Sequence, residues 1–135
     1  MSLVTWNPSY SVKVKACDDD HLKLFSIINK LHDAMKVGKG SQLIHDIVRE
    51  LADYTKFHFT REEALLLKSN YAQLGPHRAQ HSVFVDKIEQ LQRELKEGKT
   101  GQSVEVAGFL RDWLVNHIQQ TDKQYSAHLN AFGIS

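Results

Sequence analysis

Seven side chains that can bind a metal recur along this chain at helical spacings, in the same stripes as its apolar residues. They are His21, His58, Glu62, His77, His81, His117 and Asp122. An apolar stripe at helical spacing faces the core of a helical protein. These polar groups are therefore expected to point inward, and the fold must bring several helices together around one buried polar centre.

Apolar residues at intervals of three and four predict four helices with short turns between them. The first is expected to begin at Asp18–Asp20, where an aspartate can cap free N–H groups, and to end at Gly38–Gly40. Ser41 is a plausible cap for the second helix, Pro76 fits the first turn of the third, and a turn at Glu97–Gly101 precedes the fourth. This pattern predicts an all-α, up-down antiparallel four-helix bundle.

Residues 1–17 are expected to form an extended N-terminal arm. Pro8 and the alternation of Tyr10, Val12 and Val14 favour an extended path. Trp6 is expected to anchor the arm on the core. The chain is therefore predicted to form a single domain over residues 1–135, with the bundle over residues 18–131.

Charge and cysteine content argue against several classes of protein. The balance of 17 basic against 16 acidic residues indicates neither a nucleic-acid-binding patch nor a surface for anionic membranes. No stretch approaches the roughly 20 apolar residues that a membrane span needs. Cys17 is the one cysteine and cannot form an internal disulfide, which favours a reduced, cytoplasmic setting. Its aspartate neighbours are expected to raise its pKa.

The predicted topology brings the seven donors to one end of the bundle. His58–Glu62 and His77–His81 are i, i+4 pairs, so each pair lies on one helix face. Alternate helices of an up-down bundle run parallel, which puts the early donors of two helices level with the late donors of the other two. Seven donors exceed the six positions of one octahedral ion. Five imidazoles and two carboxylates instead suit a pair of ions that the carboxylates bridge.

Each donor taken alone has an ordinary structural explanation. A single His–Glu pair usually lies in solvent, and a single inward histidine usually binds a carbonyl oxygen. The full set buried without a metal would leave several polar groups unpaired, each at a cost on the order of 1–3 kcal/mol, so a metal site is the better interpretation. Donor chemistry alone permits iron, manganese or a mixed centre. His32, His45 and His128 lie at other levels and are expected to be structural or exposed.

His117 and Asp122 do not share a face of a regular helix. Five residues advance about 500°, which leaves the two side chains about 140° apart. Both can face one centre only if the helix widens between them. A π-type bulge is therefore predicted between His117 and Asp122.

Taken together, the motifs resemble those of the hemerythrin family, specifically the bacterial single-domain hemerythrins. The matching pieces are DDDH ending at His21, HFTREE from His58, YAQLGPHRAQH ending at His81, and WLVNHIQQTDKQY from Trp113 to Tyr125. The resemblance covers nearly the whole chain, and the combined spacings are highly specific. Two positions differ: Asp20 stands where glutamine is common, and Leu66 where methionine is frequent. The extra carboxylate of Asp20 could alter the hydrogen bonding of a ligand histidine.

The resemblance implies two iron ions in a non-heme diiron centre with an oxo or hydroxo bridge. By position, His77, His81 and His117 would hold one iron, His21 and His58 would hold the iron that keeps a position open for O2, and Glu62 and Asp122 would bridge both. The implied function is reversible binding of dioxygen for storage, delivery or scavenging, without catalysis. Leu24, Phe25 and Trp113 are candidates for an apolar O2 pocket, with ordinary core packing as the alternative.

Other uses of the same centre stay open. A sensor of oxygen, redox state or nitric oxide would relay the state of the irons to a partner protein, and a peroxidase or reductase would turn over substrate there. Iron storage is disfavoured because the donor set is poor in carboxylates. The expected partner is dioxygen, with no nucleic acid and no membrane insertion. A monomer is expected, and an unidentified protein partner is left open.

Overall fold

Four long helices pack around one core. The computed structural model describes residues 4–36, 41–98 and 103–135. The helices are α1 (Lys15–Lys36), α2 (Ser41–Lys68), α3 (Leu74–Lys96), α4 (Ser103–Asn116) and a short α5 (Ser126–Ala131). Both α1 and α3 pack against α2 and against α4, as an up-down bundle requires. The predicted all-α, antiparallel four-helix bundle is confirmed.

The inward stripes of the four helices form one apolar core. Fully buried members include Leu24, Ile28 and Leu31 of α1, Leu51 and Leu66 of α2, Phe84 and Leu91 of α3, and Leu110 of α4. Burial of a side chain of this size stabilises the fold by about 1.5–3 kcal/mol. The same stripes continue into polar residues at one end of the bundle, so the packing that forms the core also fixes where the polar donors meet.

The first helix begins at Lys15, three residues before the predicted start at Asp18–Asp20. The N–H of Asp18 already donates to the carbonyl of Val14 at 2.9 Å, so Asp18 lies inside the first turn. Its carboxylate accepts from the N–H of Val12 at 2.8 Å and from the hydroxyl of Ser11 at 2.7 Å. The aspartate therefore ties the arm to the helix, and the predicted boundary after residue 17 was too late.

The arm contains a short 3-10 helix as well as extended segments. This turn spans Pro8–Tyr10, and the side chain of Asn7 caps it by accepting from the N–H of Ser9 at 2.8 Å. Proline suits the first position of such a turn because its φ is already helical. The ring of Trp6 packs against the ring of Phe25, with centroids 5.7 Å apart. This contact confirms that Trp6 anchors the arm.

A tight turn joins α2 to α3 and sets the level of the donors on both. Asn70 adopts a φ of 55°, which asparagine tolerates at the end of a helix, and the N–H of Tyr71 donates to the carbonyl of Leu66 at 2.9 Å. Pro76 lies in the first turn of α3 as predicted, where its missing N–H leaves no helical bond unmade. The end of α2 therefore lies beside the start of α3.

Some predicted boundaries lie outside the described residues. This applies to Gly38–Gly40 and to the last part of the turn at Glu97–Gly101, although Glu97 and Gly98 do form a turn after α3. Ser41 is the first residue of α2. Among the helices in the described ranges, none is both long enough and apolar enough to cross a membrane.

Candidate metal centre

All seven predicted donors meet in one buried cluster at the same end of the bundle. α1 contributes His21, α2 contributes His58 and Glu62, α3 contributes His77 and His81, and the segment after α4 contributes His117 and Asp122. None of these residues is more than 4% exposed. Their ligand atoms form two groups, within each of which all atoms lie within 4.8 Å of one another, and Glu62 belongs to both groups.

Glu62 lies between two sets of histidines. The three-histidine half consists of His77, His81 and His117, and the two-histidine half consists of His21 and His58. Oε1 of Glu62 lies 2.7 Å from Nε2 of His77 and 3.0 Å from Nε2 of His81. Its Oε2 lies 3.3 Å from Nε2 of His58, in the other half. Each oxygen of Glu62 therefore faces a different half.

Asp122 repeats this division. Its Oδ1 lies 3.1 Å from Nε2 of His77 and 3.0 Å from Nε2 of His117, both in the three-histidine half. Its Oδ2 lies 3.2 Å from Nε2 of His21, in the two-histidine half. Two carboxylates that each direct one oxygen to each half have the arrangement that is needed to bridge a pair of ions.

The predicted π bulge is confirmed. Residues His117–Thr121 form a π-helical turn, and the N–H of Asp122 donates to the carbonyl of His117. This i to i+5 hydrogen bond marks the widened turn. The wider turn brings the side chains of His117 and Asp122 to the same face. As a result, Oδ1 of Asp122 lies only 3.0 Å from Nε2 of His117. The backbone is thus irregular at the position where two donors must face one centre.

The cluster contains buried polar atoms that lack a hydrogen-bond partner in the described part of the chain. They include Nε2 of His21, His81 and His117 and both carboxylate oxygens of Asp122. Leaving each one unsatisfied costs on the order of 1–3 kcal/mol, and their lone pairs converge on the same small volume. Imidazole nitrogens and carboxylate oxygens are suitable ligands for iron, manganese and zinc. The residues present therefore fit a pair of transition-metal ions.

Three of the five imidazoles have Nδ1 held by an acceptor on a neighbouring helix. A hydrogen bond from Nδ1–H fixes the tautomer and leaves the lone pair of Nε2 free for a metal. The acceptors are Asp20 for His58 at 2.9 Å, Glu63 for His81 at 2.7 Å and Gln80 for His117 at 2.9 Å. Each of the three imidazoles thus presents Nε2 to the carboxylates in a fixed orientation.

The roles of Glu63 and Gln80 were not predicted from the sequence. The sequence showed the extra carboxylate of Asp20 beside His21, but Asp20 hydrogen-bonds to His58 on the next helix. The available signal was that each acceptor directly adjoins a donor in the sequence: Asp20 precedes His21, Glu63 follows Glu62 and Gln80 precedes His81. A polar residue next to an inward donor lies at the flank of its helix, where it can reach the helix packed beside it.

Tyr125 and Cys17 lie on the side of the cluster near Glu62. The buried hydroxyl of Tyr125 donates to Oε2 of Glu62 at 2.8 Å, and burial, followed by the charges of Glu62 and Asp122, raises the pKa of Tyr125. Tyr125 therefore keeps the proton that it donates. Burial is also the main reason that the pKa of Cys17 is raised, with Glu62 next. The predicted direction for Cys17 is confirmed, but the adjacent aspartates are not its main cause.

Without a bound ion, the buried histidines and carboxylates shift one another's pKa values, so that protons are held on histidines. Burial opposes a charge on His21, but the nearby carboxylates of Asp122 and Glu62 outweigh it and raise the pKa of His21 to about 9. The same competition raises the pKa of His77 to about 9. Burial would raise the pKa values of Glu62 and Asp122, yet the surrounding histidines hold both below their usual range. A metal ion that binds here must displace protons from the imidazoles.

Aromatic rings cover the three-histidine half. The ring of Trp113 stacks on His117 with centroids 4.4 Å apart, and Phe59 stacks on His81 at 3.7 Å. Phe25 instead packs under the arm against Tyr10, at 5.1 Å. Leu24 is fully buried in the core. The assignment of Leu24, Phe25 and Trp113 to an O2 pocket stays a prediction.

The other three histidines are absent from the two donor groups found in the described residues. His128 has a structural contact: its Nε2–H donates to the carbonyl of Ser69 at 2.7 Å. This bond joins α5 to the end of α2 and satisfies a carbonyl that the helix leaves free. His32 and His45 are half-buried. These positions agree with the prediction that His32, His45 and His128 lie outside the site.

The comparisons with known proteins agree with this geometry. The family model described as the hemerythrin HHE cation binding domain matches residues 12–129. A bacteriohemerythrin of Methylococcus capsulatus is 36% identical over 132 residues, which cover 97% of this chain and 100% of that protein. Myohemerythrin-1 of Phascolopsis gouldii is 30% identical over 125 residues, covering 92% of each chain. A crystal structure of wild-type hemerythrin superposes with a TM-score of 0.88 at 35% identity, covering 95% of this chain and 98% of that one.

Proposed function

This chain belongs to the hemerythrin family, and on that premise we propose that it binds dioxygen reversibly at a pair of iron ions held by the seven donors. The division of Glu62 and Asp122 between the two halves supports this proposal most strongly. Each carboxylate directs one oxygen to each half. A single ion would need no such division, whereas two bridged ions require it.

The two halves offer different numbers of ligands. Three imidazoles and two carboxylate oxygens would hold an ion in the three-histidine half, and with one oxygen shared between the ions they would meet the six positions of an octahedral ion. The same bridges with only two imidazoles leave one position open in the two-histidine half. The smaller number of ligands offered by His21 and His58 supports O2 binding at that half. Iron bound here would supply one electron from each ion to O2 and regain both on release.

The donor set favours binding over cleavage of the O–O bond. Di-iron oxidases of the ferritin-like class use four glutamates and two histidines. Carboxylates stabilise higher oxidation states of iron, and this site has five imidazoles and only two carboxylates among its donors. The chain's own contribution is to hold three of the imidazoles, those of His58, His81 and His117, with Nε2 directed inward through the acceptors on Nδ1.

Burial protects the half that is assigned to O2. The side chains of His21 and His58 are 0% and 1% exposed, respectively. The hydroxyl of Tyr125 keeps its proton and donates it in a hydrogen bond to Oε2 of Glu62, the oxygen that faces this half. Excluding water and fixing the nearby proton should slow the irreversible oxidation that would end a binding cycle.

Anaerobic purification followed by repeated exposure to O2 tests the proposal. We expect two iron ions per chain, uptake of one O2 for each pair, and a visible absorption band that appears with O2 and disappears when O2 is removed. His58→Ala is the control, because it should abolish the reversible band while retaining iron in the other half. Irreversible oxidation in the first cycle, or sustained consumption of O2 with an added reductant, would show that the chain is not an oxygen carrier.

A further inference from the structure

Asp20 is a buried carboxylate on the outer side of the two-histidine half. It is 2% exposed, and its Oδ2 accepts from Nδ1–H of His58 at 2.9 Å. Its Oδ1 accepts from the hydroxyl of Tyr54 at 2.9 Å, and Nε of Arg61 lies 3.4 Å from Oδ2. Tyr54, His58 and Arg61 follow one another at intervals of four and three on α2. A single face of α2 thus surrounds this carboxylate of α1.

In the three-histidine half, neither of the residues that accept a hydrogen bond from Nδ1–H is both charged and buried. The side chain of Glu63, which accepts from His81, is 24% exposed and also accepts from Nε of Arg78 at 3.0 Å. Gln80, which accepts from His117, is neutral and exposed. A charge acts more strongly where solvent does not screen it. Asp20 and Glu63 each have an arginine beside them, but among these three acceptors only Asp20 places a negative charge that is shielded from solvent one hydrogen bond from an imidazole.

We propose that Asp20 is a positioning residue that strengthens His58 as a metal donor and thereby sets the metal affinity and redox balance of the two-histidine half. Asp20 has this role only if the metal pair of the proposed function exists. A carboxylate that accepts from an imidazole raises the donor strength of its other nitrogen. The stronger donor stabilises the bound ion, and most of all its more positive oxidation state.

The contacts of Asp20 keep it in this supporting position. Both oxygens are already occupied by His58 and Tyr54, and Arg61 balances the charge at the outer side. A buried carboxylate with such partners is not left unsatisfied. Asp20 also does not belong to either of the donor groups that converge on the centre. It acts on an ion through His58 rather than by binding the ion itself.

The Asp20→Asn variant removes the charge and keeps an oxygen that can accept from Nδ1–H of His58. The full-length metal-free protein is titrated with Co²⁺ against a competing chelator, and each binding step is followed by absorption. We expect the wild type to bind two Co²⁺ ions. Asp20→Asn should weaken one of the two steps by about 10- to 100-fold, the usual effect of losing a supporting residue, and leave the other step unchanged.

Glu63→Gln is the matched control, because it makes the same acid-to-amide change beside His81. Its effect should fall on the other binding step and be smaller, since Glu63 is 24% exposed and solvent already screens its charge. Tyr54→Phe keeps the carboxylate and removes one donor, so it should change the affinity less than Asp20→Asn does. Unchanged Co²⁺ affinity in Asp20→Asn would overturn the role of Asp20. Fewer than two Co²⁺ ions in the wild type would instead refute the metal pair.

Two further measurements separate a change in donor strength from a loss of structure. The reduction potential of the iron-loaded protein should rise in Asp20→Asn, and an unchanged potential would contradict the proposal. The second uses the wild type alone and does not depend on the variant folding. In the proton NMR spectrum of the Co²⁺-loaded protein, Nδ1–H of His58 should exchange with solvent more slowly than that of His81. Faster exchange at His58 would show that Asp20 does not hold it.

Discussion

The three-histidine and two-histidine halves are built from different parts of the bundle and meet solvent differently. The first comes from α3 and the π turn after α4, and its supporting residues Glu63 and Gln80 lie toward the surface. The second comes from α1 and α2, and its supporting carboxylate Asp20 is buried. The half with fewer donors therefore has the supporting carboxylate that is better shielded from solvent. The half with three histidines has the more exposed supporting residues, and the half with two histidines has the more buried one.

The two carboxylates join these halves from different local structures. Glu62 lies in the regular helix α2, where an i, i+4 spacing already stacks it on His58. Asp122 reaches the same level only through the π turn that precedes it. Both direct one oxygen to each half. The shared residues should therefore affect both ions when they are changed, and residues of one half should affect one ion.

Glu62→Ala should have the largest effect. It removes an oxygen from each half at once, so the affinity for both ions should fall by more than the roughly 100-fold that loss of a supporting residue costs. Metal analysis after anaerobic iron loading should find less than one iron per chain. Glu63→Ala, one residue further along α2, is the control and should retain both ions. Retention of two ions by Glu62→Ala would refute its bridging position.

His58→Ala and His117→Ala make the same change in different halves. His58→Ala leaves His21 as the last imidazole of its half, so the metal content should fall from two ions to one. His117→Ala leaves two imidazoles, the number that the other half has naturally, and should retain both ions with weaker binding. Metal analysis and Co²⁺ titration distinguish these outcomes. Equal loss in both variants would show that the number of donors does not distinguish the halves.

A change in pH should separate the metal-free from the metal-loaded protein. The pKa values of His21 and His77 rise from 6.5 to about 9 without metal. Groups with raised pKa values stabilise the fold below pH 6.5, and this contribution is lost as the pH rises to 9. Because Glu62 and Asp122 have lowered pKa values, their contribution is lost in acid, as the pH falls below about 4.

The melting temperature of the metal-free protein should therefore fall between pH 6.5 and pH 9, while that of the loaded protein changes less. Loading at pH 7 should also release at least two protons per chain, because the ions replace the protons on His21 and His77. Proton release should decline as the loading pH rises through 9. Calorimetry in buffers of different ionisation enthalpy measures this number. Constant proton release from pH 6 to pH 10 would show that the two histidines are not protonated in the metal-free site.

The inward position of the seven candidate donors could be predicted from the sequence because helical periodicity determines which residues face the core. The π turn was predictable for the same reason, since the five-residue spacing of His117 and Asp122 is incompatible with a regular helix that faces both inward. Both predictions need only the geometry of a single helix. The position of the site at one end of the bundle needed only the order and the length of the helices.

The residues that support the donors could not be assigned in this way. Asp20 contacts His58 across a helix interface, and Glu63 contacts His81 across another. Such contacts depend on how neighbouring helices are rotated, which the period of one helix does not determine. The early start of α1 has a similar cause, because Asp18 binds residues of the arm rather than its own helix. Spacing within each helix predicted which side chains face the centre, whereas packing between helices determines which residues hydrogen-bond to them.

Tyr125→Phe should have a moderate effect that falls mainly on the two-histidine half. The hydroxyl of Tyr125 donates to Oε2 of Glu62 at 2.8 Å, and this oxygen faces His58. Loss of the donor should lower the free energy of unfolding of the metal-free protein by about 1–3 kcal/mol. Chemical denaturation measures this change, and Co²⁺ titration should show weaker binding at one step. Equal weakening of both steps would mean that the oxygens of Glu62 do not serve separate halves.

Gln80→Ala should have the smallest effect, although it removes the acceptor of a predicted ligand altogether and Asp20→Asn removes only a charge. Oε1 of Gln80 accepts from His117 and from the hydroxyl of Thr121, but Gln80 is exposed. Water can replace an exposed acceptor at little cost, so Co²⁺ affinity in the three-histidine half should fall by less than about 10-fold. The same titration on Asp20→Asn provides the comparison. If Gln80→Ala weakened Co²⁺ binding as much as Asp20→Asn does, a neutral residue at the surface would support its histidine as well as a buried carboxylate does. Burial and charge would then not explain the difference between the halves.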